Sequence, residues 1–111
     1  MKHSLISLIF FILTVLAVAF FWENSLLTCG ILAFLSITFL LILKDKYNVY
    51  FYLTVATSGA LAESFCVMMG AWKYSYANFL GIPYWLPLAW GMAGLGFKDI
   101  YGLIKLLRNR F

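Results

Sequence analysis

A chain of 111 residues that is 65% hydrophobic, 20% aromatic and only 11% charged departs from soluble domains, which carry roughly 25% charged residues. One core of this size cannot hide so much apolar surface from water, and a bilayer removes the need. The net charge of +4 is spread over short loops and a tail without a basic patch, which excludes nucleic-acid recognition.

The first apolar run, Leu5 to Trp22, is longer than the ~7–15 residues of a secretory signal and is followed by no small-residue cleavage site. A retained helix is therefore expected over about residues 4–22. Glu23-Asn24-Ser25 forms a polar turn, and an uncharged second span follows over 26–43, ending at Lys44-Asp45-Lys46. The third span covers about 48–70 and is interrupted only by Glu63. After an aromatic polar connection, the fourth is expected over about 82–104. Each of the first three approaches the ~20 residues that cross a hydrocarbon core.

Pro83 suits a first helical turn, whereas Pro87 is expected to loosen the fourth span. In the tail, Ile100, Leu103, Ile104, Leu107 and Phe111 follow helical spacing opposite Gly102, Lys105 and Asn109. An amphipathic helical end reaching about Arg108 is expected at the membrane surface. The fold class is thus an all-α integral membrane protein, a single membrane domain forming a bundle of four transmembrane helices.

Orientation follows from the basic residues. Lys2, Lys44, Lys46, Lys98, Lys105, Arg108 and Arg110 share one side, and Lys73 stands alone on the other with Glu23. The positive-inside rule then puts both termini in the cytoplasm, with a prokaryotic inner membrane as the expected setting.

The first two spans are nearly featureless. The last two hold both prolines, most of the glycines and the one glutamate inside a span. An ionisable group in a span costs at least ~2.5 kcal/mol unless paired or hydrated, which makes Glu63 a functional candidate as general acid or proton carrier. The competing reading is a side chain that only bonds a neighbouring helix. Gly59, Ala60, Cys66 and Gly70 share its face and leave space for a fourth-span helix packed through Ala89, Ala93 and Gly96. Ser64 adds a hydroxyl next door, and Lys73 reaches Glu63 only if the connection folds back.

The connection is dense in aromatics. Trp72, Tyr74, Tyr84, Trp85 and Trp90, with Lys73 and Ser64, are the candidate substrate-binding residues, set against the plainer role of an interfacial belt. Cys29 and Cys66 read as packing residues rather than ligands. No metal-ligand run, phosphate-cradling glycine loop or Ser-His-Asp order is present, so neither metal nor cofactor is expected.

The pattern Glu63-x6-Gly70-x-Trp72-x-Tyr74, followed by Gly81-Ile82-Pro83-x-Trp85-Leu86-Pro87-Leu88-x-Trp90, resembles small multi-span carotenoid-processing membrane proteins of the bisanhydrobacterioruberin hydratase type. The small lycopene cyclases are more distant company. The resemblance covers residues 63–90 and implies an intramembrane acid that protonates an isoprenoid double bond, a role open here to Glu63 alone. The chain is much shorter than those hydratases and lacks the paired acids of the cyclases.

Three functions remain open at this stage. In the first the protein binds a lipid or isoprenoid-like apolar substrate, with its chemical modification left open. Alternatively it is an accessory subunit of a larger membrane complex. The third is a small proton-coupled transporter acting as a homo-oligomer, whose plan resembles small multidrug-resistance exporters, although there the glutamate lies in the first span. Membrane lipids are partners in every case.

Overall fold

The computed structural model of the chain describes residues 2–110. It is all-helical, with α1 (Lys2–Phe21), α2 (Ser25–Leu43), α3 (Lys46–Met68) and α4 (Leu86–Arg110). Among the described residues three helices, α1 to α3, are long and apolar enough to cross a membrane. α4, with Lys98 and Asp99 in its middle, is not one of them.

The turns explain where the helices begin and end. Asn24 caps α2 by accepting from the Leu27 amide at 3.1 Å, and Thr28 donates its hydroxyl to the Phe21 carbonyl, tying α2 to the end of α1. Asp45 caps α3 by accepting from the Tyr47 amide at 2.9 Å. Before it Lys44 is left-handed, φ 59°, and closes α2 through its amide to the Leu40 carbonyl. α3 stops two residues short of the expected limit because Gly70 takes φ 86°. Ala71 then donates to Cys66 and Gly70 to Val67, the paired bonds of a Schellman end.

The fourth helix starts later than the sequence predicts. Residues 82–85 belong to the connection, where Phe79 and Ile82 exchange two backbone hydrogen bonds around Leu80 and Gly81. Both central residues have positive φ, 50° and 78°, as tight hairpin turns require. Pro83 therefore precedes the helix, and Pro87 stands in its first turn, where the missing amide leaves no broken bond. The expected loosening at Pro87 does not arise. At the other end α4 continues to Arg110.

α4 is the centre of the molecule. It packs most extensively on α3, then on α1, and more lightly on α2, whereas α1 and α3 do not meet among the described residues. Rings fill notches at its glycines. A Cβ on Gly91 would stand 2.6 Å from the Tyr52 ring, and one on Gly59 of α3 only 2.3 Å from Trp90. Such close backbone approach is how helices associate when lipid supplies no hydrophobic drive. Gly96 faces Phe11 of α1 rather than α3, which departs from the expected small-residue row.

Tyr52 joins three helices: its hydroxyl is 2.6 Å from Ser36 of α2, and its ring lies over Gly91 of α4. At one end of the bundle Ser7 donates to the Asp99 carboxylate, Ser4 donates to the Asp99 carbonyl at 3.2 Å, and Lys98 donates to Asn48. The charged pair in α4 thus lies level with the starts of α1 and α3. The outer faces remain apolar: Leu26, Phe34 and Leu41 of α2 are 70–74% exposed.

Candidate functional site

Because α1 and α3 stand apart, the face of α4 between them is open. Its floor is Leu86, Ala89, Ala93 and Phe97, residues at i, i+3, i+7 and i+11. Alanines at two of these positions keep the trough deep. α3 contributes Glu63, and the notch at Gly59 seats Trp90 beside it, enclosing a space of about 270 Å³. α1 contributes Phe11, Thr14, Val15 and Val18 to an adjoining space of about 380 Å³ that shares Ala89 and Ala93. Phe11 and Phe97, with ring centroids 5.8 Å apart, close the lower end.

The connection roofs the upper end. Lys73, Tyr74, Ser75, Tyr76 and Pro83 surround a space of about 420 Å³ with Val18 and Ala19 of α1 and with Trp22 just beyond its end. Trp85 lines both this space and the one below, so the two run together. Trp22 packs on Tyr76 with ring centroids 5.4 Å apart.

Glu63 is half-buried, and the Tyr74 hydroxyl donates to its Oε2. The connection does fold back, as a reach from Lys73 would have required, but the residue that meets the carboxyl is Tyr74, one position later. Burial, then the hydrogen bond to Glu63 and its charge, push the Tyr74 phenol above its ordinary value, offset in part by a hydrogen bond with Trp72. The phenol therefore stays a donor across the neutral range.

The other sequence candidates separate. Trp85 and Trp90 line the trough. Trp72 is exposed and touches it only through Tyr74. Tyr84 is exposed and stacks on Phe79. Ser64, one residue on from Glu63, points to the opposite flank of α3, where its hydroxyl donates to the Leu80 carbonyl at 2.7 Å and pins the hairpin to the helix. It borders a separate groove of about 350 Å³. The 100° step between neighbouring helical residues is the physical reason.

The sequence reading missed the α1 wall. Phe11, Thr14, Val15 and Val18 do share helical spacing, but in a helix apolar on every side no pattern separates a trough wall from a lipid-facing surface. Comparison of the chain with protein-family models, with curated proteins and with solved structures returns no match.

Proposed function

We propose that the protein is an integral membrane protein of four spans that binds a lipid or isoprenoid-like molecule in the trough over α4, beside the Glu63–Tyr74 pair. The observation that carries this reading is the meeting of one acid with an otherwise apolar, laterally open channel. In the bilayer an acid needs a partner or a task, and here its hydroxyl partner stands at the rim of a space lined by alanine and aromatic carbon. Glu63 is the group that would bond a polar function on the ligand or deliver a proton to its double bond.

The basic ends support the orientation. The start of α1, the Lys44–Lys46 turn and Lys98 share one end, which by the positive-inside rule favours a cytoplasmic position for both termini at an inner membrane. α4 would span by virtue of its neighbours, which meet its charged pair with Ser7 and Asn48. Transport is less well supported, since Phe11 and Phe97 stand between the polar set at Glu63 and the one at Asp99.

Native mass spectrometry from a mild non-ionic detergent tests the binding. The wild-type protein is expected to carry a small-molecule adduct that Ala93→Leu removes and Glu63→Gln weakens. A wild-type protein that emerges bare from its native membrane, at every detergent level that keeps it folded, would overturn the reading.

A further inference from the structure

The trough has two chemically different ends, and its length fits a definite class of molecule. From Leu86 to Phe97 the floor covers about 16 Å of helical rise, close to half of the ~30 Å hydrocarbon core. The space therefore matches one chain from one leaflet, closed below by the Phe11–Phe97 pair. At the top the lining changes to include Lys73, Tyr74, Ser75 and Tyr76. Lys73 is the only basic residue between Lys46 and Lys98, and it stands at the mouth.

A second observation marks the junction between head and chain. Trp85 is 8% exposed, and its indole N–H is buried without an acceptor among the described residues. Trp85 lines both the upper space and the one beside Ala89 and Ala93, so a lipid whose chain followed α4 would pass it where head and chain meet.

We infer that the ligand is a phosphoryl-headed lipid, its phosphate on Lys73, its ester level with Trp85 and one acyl chain along Ala89 and Ala93 to Phe97. This rests on the trough being the binding site, and it adds the headgroup, the direction and the chain length. The facing charges are consistent. Glu63 lies lower beside the chain with Tyr74 donating to it, and Glu23 borders a different space beyond Tyr76.

Tryptophan quenching by chain-brominated lipids separates the two claims. Brominated phosphatidylglycerol and brominated diacylglycerol are titrated into the protein in maltoside micelles. The phosphoryl lipid is expected to bind about fivefold more tightly, the value of one lysine at a membrane surface. Lys73→Gln should make the two lipids equal, and Lys73→Arg should restore the difference. Equal binding to the wild type, with Ala93→Leu weakening both, overturns the headgroup inference and leaves the apolar trough standing. Quenching indifferent to Ala93→Leu and to Ala89→Leu, each checked for helix content, overturns the trough itself. Competition by inorganic phosphate at equal concentration would assign the mouth to a free anion and also overturn the inference.

Discussion

α2 and α4 are opposites. α2 is among the most apolar stretches of the chain, and most of its surface faces outward. α4 is interrupted by Lys98 and Asp99, yet it touches all three other helices and buries Gly91, Met92, Gly94, Leu95 and Gly96. In water, hydrophobicity marks the inside. Here large apolar side chains cover the outer face of α2 while glycines stand on the buried face of α4, the pattern expected on the membrane reading, where close approach rather than solvent exclusion holds helices together.

Paired substitutions break or sharpen that contrast. The largest effect is expected at Gly59→Leu, whose side chain would collide with the Trp90 ring. Overpacking of this kind costs ~1–3 kcal/mol or more, read as a lowered unfolding midpoint, and it should also displace Trp90 and abolish lipid binding. Tyr52→Phe follows: it leaves Ser36 buried without its partner at a cost of ~1–3 kcal/mol, and loosens α2 and α3 from α4 together. The control is Gly30→Ala in α2, where an added Cβ meets nothing within 4 Å. That change should be neutral or raise stability by up to ~1 kcal/mol, from helix propensity alone. A comparable loss at Gly30 would refute the contrast.

The smallest effect lies at the rim of the trough. The Tyr74 phenol holds its proton more tightly in the folded protein than an unfolded tyrosine, whose value is about 10. Below that pH both states are protonated and the Glu63–Tyr74 bond contributes in full. Above it the unfolded chain releases its proton first, so stability falls as the pH rises. Ultraviolet titration of the wild type and of Tyr74→Phe should differ by one late-ionising component, which the substitution removes.

Much of this was legible in the chain. The three apolar runs and the polar turns at Glu23–Ser25 and Lys44–Lys46 are local signals, and their helices lie within a few residues of where the sequence puts them. The α4 start was not, because Pro83 and Pro87 fit a first turn equally well and the choice was made by the Leu80–Gly81 hairpin, held down by Ser64. At the site, the cost of an acid in a span pointed to Glu63. Its partner was misplaced by one residue, since a folded-back loop sets which of Lys73 and Tyr74 arrives, and no spacing rule reports that. The α1 side of the trough left no trace in composition.

One feature of α4 bears on how the protein is made. On the membrane reading, this segment would not enter lipid by its own hydrophobicity, and its Asp99 and Lys98 find their hydrogen-bond partners on α1 and α3. Those helices precede it in the chain, so the cradle can already be standing when α4 leaves the ribosome. On that reading assembly and insertion become a single event for α4, and a defect in the cradle would appear first as a stranded fourth helix rather than as an unfolded protein.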